Sequence, residues 1–308
     1  MEQQNALREQ VYSLLTEIKN APENHGHHNR LWYLLLSARI SPERLDEIEN
    51  CYKDVMKAYT LCQPTTVGQE VTNTLATKRA KLLDALSRYE VAIQRGVDLS
   101  GTASLRDMVI LLAKKHQALH AYLKEKMRFV DSLLRTHGIS YWAVAGTLIG
   151  AIRHQGIIPW DRDLDLEMTE ADFQRFITLE DLLQKEAGLS IRKLKWRGHY
   201  KLANNFDIFV NDTRKPPSGS RENLFPYKDE IFPLREFQFY DFKIYGPNKA
   251  EHYLKREYGD DCFSTCRIWN YFVNSYFSRQ FDPDKYVLTL QEVNQILRDI
   301  NFDEKQLR

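Results

Sequence analysis

The chain has 308 residues, and its 43 Lys and Arg stand against 42 Asp and Glu, a formal net charge of +1. So even a balance argues against a protein held to nucleic acid or membrane by bulk charge. With 43% hydrophobic and 12% aromatic residues, the chain is no disordered tail and can bury a sizeable core.

The two halves differ in composition. Residues 1–130 hold one of the 15 Phe, four of the 13 Gly and three of the 10 Pro. Phe favours pleated cores, and Gly and Pro mark the turns between strands. An all-helical region is therefore expected over 1–125, followed by an α+β domain over 126–308. In the first helix, Val11, Leu14, Leu15 and Ile18 recur at steps of three and four. The turn at Asn24-His25-Gly26-His27-His28 reads as a polar loop rather than a metal site, the alternative its histidines offer, because no Cys or carboxylate cluster accompanies it at metal-ligand spacing. The apolar run Leu31–Leu36 lies between Arg30 and Arg39 and falls well short of the roughly 18 to 20 residues that span a bilayer. Ser41-Pro42 reads as a cap and first helical residue. After a break at Gln63-Pro64 to Gly68, a long helix is expected from about Val71 to Gln94, ending near Gly96. Ser104 opens another, with Met108, Val109, Leu112, Leu119, Leu123, Met127, Val130 and Leu134 on its apolar face and Gly138 placed to end it.

The informative stretch runs from Tyr141 to Met168. Trp142 to Ala145 reads as a short buried strand, Gly146-Thr147 as a break, and Leu148 to Arg153 as the start of a helix. A glycine at such a turn admits close backbone approach, and a helix N-terminus offers N–H groups to an anion. In Asp163-Leu164-Asp165-Leu166-Glu167-Met168 apolar and acidic residues alternate with period two. A strand puts Asp163 and Asp165 on one face, about 7 Å apart at Cα, where they can converge on a divalent cation or simply face solvent. Asp207 lies in a second apolar strand, Phe206 to Val210, and an acid there needs a basic or metal partner. Side by side, the two strands would surround Mg²⁺ (or Mn²⁺) with three carboxylates, as phosphoryl transfer requires.

Between them, Thr169 caps a helix expected through Glu186. Lys193, Lys195 and Arg197 would share a strand face and could meet phosphates, and Lys201 has the better claim, being nearer Asp207. Glu236 to Ile244 reads as a strand and Ala250 to Tyr258 as a helix stopping at Gly259. Cys262 and Cys266 read as packed thiols. With Cys51 and Cys62 they make no disulfide scaffold, and the opening residues have no secretory plan, so a cytoplasmic site, or the inner face of a membrane, is expected.

The run from Gly146 to His154, then Gly156, Ile158-Pro159-Trp160-Asp161 and Asp163-Leu164-Asp165, resembles the signature of the LicD/fukutin family. Tyr200-Lys201, Phe206 to Phe209, Pro247-Asn248 and Tyr258-Gly259-Asp260 resemble its later segments, so the likeness covers about residues 126–262. The resemblance implies a nucleotidyltransferase-type mixed sheet with flanking helices. It implies an enzyme that moves a phosphoalcohol (phosphocholine, ribitol phosphate or glycerol phosphate) from a CDP-linked donor to a glycan acceptor, as in lipopolysaccharide or capsule synthesis. By the same likeness, Gly146 and Thr147 would cradle donor phosphate, Asp163 and Asp165 would be the metal pair, and Asp207 the third carboxylate. Arg162 stands where the family usually has another Asp.

Arg153 and Trp160 should frame the pocket, with Arg153 either on a phosphate or paired to Asp161. The acceptor hydroxyl needs a general base, for which Asp207 is the candidate and His154 the rival. Two other functions compete: a nucleotidyltransferase that moves NMP onto a small molecule, protein or RNA, and a non-enzymatic helical assembly module. The helical first region is expected to dock a glycan-assembly protein or a second copy of the chain.

Overall fold

The computed structural model describes residues 2–22, 25–36, 38–62, 72–96, 98–102, 104–194, 198–211, 228–268 and 287–302. It divides into two compact units, the first built on residues 1–115 and the second on 116–268 with the C-terminal segment.

The first unit is helical, as its composition requires. Helices α1 (Glu2–Asn20), α2 (His25–Leu36), α3 (Pro42–Cys62) and α4 (Thr72–Gly96) bury one stripe each. Val11, Leu14, Leu15 and Ile18 meet Leu31, Leu35, Ile48, Val55, Ala85, Leu86, Tyr89 and Ile93 in a single core. Each buried Val, Leu or Ile among them contributes about 1.5–3 kcal/mol of transfer free energy. Ser41 caps α3, its Oγ accepting from Arg44 N–H at 3.4 Å. The expected break at 63–68 lies outside the described residues. The histidine turn is not a loop: His25 begins α2, and His28 is buried, its ring 4.4 Å from that of Tyr52. A two-stranded antiparallel pair, β1 (Ala38–Arg39) with β2 (Asp98–Thr102), was not expected from the composition.

Helix α5 (Leu105–Thr136) starts at a reciprocal cap, where Asp107 N–H donates to Ser104 Oγ and Ser104 N–H to Asp107 Oδ2. It stops at Gly138 as expected. There φ is +60°, and Ile139 N–H reaches back to Leu134 O while Gly138 N–H bonds Arg135 O, the Schellman pattern.

The second unit is organised by a five-stranded mixed sheet in the order β3-β4-β7-β6-β5. Its strands are β3 (Trp142–Ala143), β4 (Leu164–Thr169), β5 (Arg192–Lys193), β6 (His199–Ala203) and β7 (Phe206–Asn211). Strands β4 and β7 are parallel, and the other pairs are antiparallel. Leu164, Leu166, Met168, Phe206 and Ile208 are fully buried, so the period-two pattern places its apolar face inward. The strand expected over Trp142 to Ala145 stops at Ala143, and Gly146-Thr147 is no break: helix α6 (Ala145–Arg153) takes in all three of Ala145, Gly146 and Thr147.

Two further expectations are corrected. The helix from Thr169 to Glu186 is broken: Thr169 caps Glu170–Phe176, a 3₁₀ turn covers Ile177–Leu179, and a second helix runs Glu180–Ala187. The β-branched Ile177 and Thr178 in that turn resist continuation of the helix. Residues Glu236 to Ile244 are not one strand but a hairpin, Arg235–Phe239 against Phe242–Gly246, because Tyr240 turns the chain at φ +55°. The Ala250–Tyr258 helix stops at Gly259 as expected.

Candidate functional site

The parallel register of β4 and β7 sets Asp165 directly beside Asp207. Asp163 and Asp161 precede β4 on the same approach. Burial first, then the negative charges of Asp163, Asp161 and Asp207, push the Asp165 carboxyl well up from its usual range. Asp161 is pushed up likewise by burial and by Asp163, and the Asp161 and Asp163 side chains hydrogen-bond each other. Two carboxylates that share a hydrogen bond require a proton or a cation between them. Among the described residues, no three His, Cys, Asp or Glu side chains stand as a ready ligand set. What stands is a group of repelling hard-oxygen donors, the chemistry that suits Mg²⁺.

The first turn of α6 meets this acidic group. A Cβ on Gly146 would lie 2.5 Å from Asp161 Oδ2, so only glycine admits that carboxylate. Thr147 is buried, and its Oγ1 accepts from Asp165 N–H at 2.7 Å, which fixes the start of β4. Ala145, between β3 and the glycine, holds φ +47°, a conformation costly for a side chain and one that recurs at functional sites. Gly150 serves the turn that returns to the acidic segment, since a Cβ there would meet Gly156 O at 2.3 Å.

Asp207 is 5% exposed, and both of its oxygens are engaged. His199 Nε2 lies 2.6 Å from Oδ1, and Lys201 Nζ donates to Oδ2 at 2.8 Å. Lys201 also donates to Asn204 O at 2.9 Å. The His199 ring stacks on Phe209 with centroids 4.6 Å apart. A carboxylate only accepts, so His199 donates to Asp207 from Nε2.

The structure thus brings together Gly146, Thr147, Asp163, Asp165, Asp207 and Lys201. The other expected residues make different contacts, although Arg153 still feels the charge of Asp161. Arg153 is turned to the backbone, its Nη1 donating to Cys262 O at 3.1 Å and to Thr265 O at 2.9 Å. Its Nε donates to His154 Nε2 at 3.0 Å. His154 is fully buried, packed edge-on against Trp160 with centroids 5.8 Å apart. Burial and the adjacent guanidinium push its pKa well below the usual imidazole range. Since Arg153 Nε only donates, the His154 Nε2 lone pair is taken and Nδ1 bears the hydrogen, so neither nitrogen is poised to accept a proton. The phosphate stripe also corrects itself. Lys193 pairs with Tyr200, whose ring lies 4.2 Å from Phe173, on the sheet face opposite the carboxylates. Lys195 and Arg197 lie outside the described residues.

Sequence reasoning missed three residues. His199 is one, its signal being the two-residue offset from Lys201 that places both on one strand face. His120, from α5, is buried and donates from Nε2 to Asp161 O at 2.6 Å, a contact no local pattern reveals. Glu167 continues the Asp165 face and is buried, accepting from Trp142 Nε1 at 2.7 Å and Asn211 Nδ2 at 3.3 Å.

Residues 138–249 match the nucleotidyltransferase domain described as LicD/FKTN/FKRP. This segment belongs to the LicD/fukutin family. The chain is 33% identical over 143 residues to an uncharacterized protein of Rickettsia typhi, an alignment covering 44% of this chain and 45% of that one. It is 49% identical over 49 residues to the lipopolysaccharide cholinephosphotransferase LicD of Haemophilus influenzae, 16% of this chain and 18% of that protein. It is 50% identical over an alignment of 157 residues to the human ribitol 5-phosphate transferase FKRP, 44% of this chain and 31% of that one. The chain spans about half the length, or less, of these relatives. Among the described residues no helix is long and apolar enough to cross a membrane.

Proposed function

We propose that the LicD domain is a metal-dependent phosphotransferase that moves a phosphoalcohol from a CDP-linked donor to a glycan acceptor, on a nucleotidyltransferase-type fold. The observation that carries this reading is the register that sets Asp165 beside Asp207, with Asp163 and Asp161 adjoining and the Gly146-Thr147 turn against them. Acids that repel one another destabilise a fold unless a ligand uses them, which weighs against a non-enzymatic module. The names of the relatives, a cholinephosphotransferase and a ribitol 5-phosphate transferase, favour an alcohol phosphate as the transferred group.

Asp163 and Asp165 would hold Mg²⁺ or Mn²⁺, which when bound neutralises charge on phosphate oxygens. Asp207, as a third ligand, would have to release His199 or Lys201. In its present contacts it instead orients both. The first-turn N–H groups of Gly146 and Thr147 have no acceptor within α6 and suit a donor phosphate. Lys201 has one N–H left beyond its two contacts and suits another. The acceptor hydroxyl gives its proton to the Asp207–His199 pair, at the carboxylate or at His199 Nδ1, as its oxygen bonds to phosphorus. The bond from phosphorus to the bridging oxygen breaks, and its electron pair leaves on CMP.

The test is incubation of the full chain with CDP-choline, CDP-ribitol, CDP-glycerol and CDP-ethanolamine and Mg²⁺, followed by product analysis. Free CMP supports this reading. A CMP-modified acceptor would instead support nucleotidyl transfer by the same carboxylates, and neither product would leave the domain without the proposed activity.

A further inference from the structure

The row of side chains that begins with Asp165 and Asp207 continues across the sheet. Lys201 on β6 is the register partner of Asp207, and Arg192 on β5 is the register partner of Lys201. Partners directly opposite one another share a sheet face, so this face reads Asp165, Asp207, Lys201, Arg192 from the inner strand outward. At about 4.8 Å per strand, the row spans about 14 Å between its end Cα atoms. From Asp207 outward exposure rises, from its side chain at 7% through that of Lys201 at 24% to the exposed Arg192.

Stability does not account for the outer half of this row. Like charges directly opposite one another destabilise a strand pair. Lys201 is offset by Asp207, whereas Arg192 has no hydrogen-bond or ion-pair partner among the described residues. Two adjacent cations, one with a spare N–H and one with its whole guanidinium fork available, are complementary to a phosphate. An arginine fork takes two phosphate oxygens at once.

We propose that Arg192, together with Lys201, clamps the phosphate that stays with the nucleotide when the donor is cleaved. This rests on the nucleoside-diphosphate donor reading above and adds to it a residue and a direction. The donor lies along the row, its transferred phosphate at the carboxylate end and its nucleotide phosphate at the basic end. Lys193, the neighbour of Arg192, faces the other side of the sheet and takes no part.

The test is calorimetric titration of the full chain with CMP and with cytidine in Mg²⁺, on the wild type and on Arg192→Gln, Arg192→Lys and Lys193→Gln. Both sites are exposed, so the variants should fold. Arg192→Gln is expected to weaken CMP about tenfold without changing cytidine, Arg192→Lys to fall between, and Lys193→Gln to match the wild type. Wild-type CMP affinity in Arg192→Gln, in a protein that still releases CMP from a CDP-alcohol, overturns the clamp alone. A wild type that neither binds CMP more tightly than cytidine nor releases it overturns the donor reading, and the clamp with it.

Discussion

Asp165 and Asp207 are direct partners in the parallel register of β4 and β7, so two acids from strands some forty residues apart in sequence come to stand one strand spacing apart, about 4.8 Å at Cα. Burial first, and then the charges of Asp163, Asp161 and Asp207, raise the Asp165 carboxyl. Asp165→Asn removes one of the repelling charges at almost constant shape. In buffer free of divalent cations it should stabilise the second unit by about 1–2 kcal/mol, while Mg²⁺ should stabilise the wild type and not the variant. Thermal melts with and without Mg²⁺ check both, and a variant less stable than the metal-free wild type would contradict the repulsion argument.

The Asp207–His199 contact separates two ways of accepting the proton. Asp207→Asn keeps the side-chain shape but removes the charge that fixes His199, and transfer should fall at least about a hundredfold, the low end for loss of a general base. If the imidazole is the acceptor, His199→Gln should fall comparably. If Asp207 accepts directly, His199→Gln should cost much less. His154→Gln should change stability but leave the pH profile of transfer unmoved, because that ring is buried with its lone pair taken by Arg153.

Glu167 makes the second unit sensitive to alkali. Burial pushes its carboxyl up to about 8, against the opposing donation from Trp142 and Asn211. A carboxyl whose folded pKa lies above its unfolded one adds stability at low pH. That contribution is complete below about 4.5 and is lost as pH rises through about 8. As a neutral acid, Glu167 also has a proton to donate, and Asn211 Oδ1 is buried without a hydrogen-bond partner. Turning the Asn211 amide over lets that oxygen accept it. Glu167→Gln preserves these bonds without a titrating group, so its melting temperature should fall less than that of the wild type between pH 5 and pH 9. Parallel curves would show that Glu167 does not titrate there.

Arg153 holds α6 to the carbonyls of Cys262 and Thr265. A lysine cannot present the same fork, so Arg153→Lys should cost about 2 kcal/mol and leave CMP affinity near that of the wild type. A large loss of CMP affinity with unchanged stability would return Arg153 to phosphate binding.

Much of the fold was legible because it rests on local rules. The stripe Val11, Leu14, Leu15 and Ile18, the cap at Ser41-Pro42 and the stop at Gly138 each follow from their own neighbours in sequence. The alternation through Asp163 and Asp165 likewise gave the strand and its faces. What could not be read depends on register between distant strands. Lys193 and Arg192 are adjacent, and which one shares the face of Asp207 is decided by pairing with β6, where a slip of one residue would exchange them. Arg153 and His154 stood inside the most informative run, yet tertiary packing turned both inward. The hold of His120 on Asp161 links residues 41 apart and leaves no trace in either local pattern.

The central claim is that the carboxylates at the β4–β7 junction support metal-dependent release of CMP. Initial rates of CMP formation from the best CDP-alcohol, measured with Mg²⁺ and with chelator for the wild type and Asp163→Asn, test it most directly. The account predicts release by the wild type only with Mg²⁺ and a fall to background in the variant. Release that persists in chelator, or in Asp163→Asn at the wild-type rate, would contradict it.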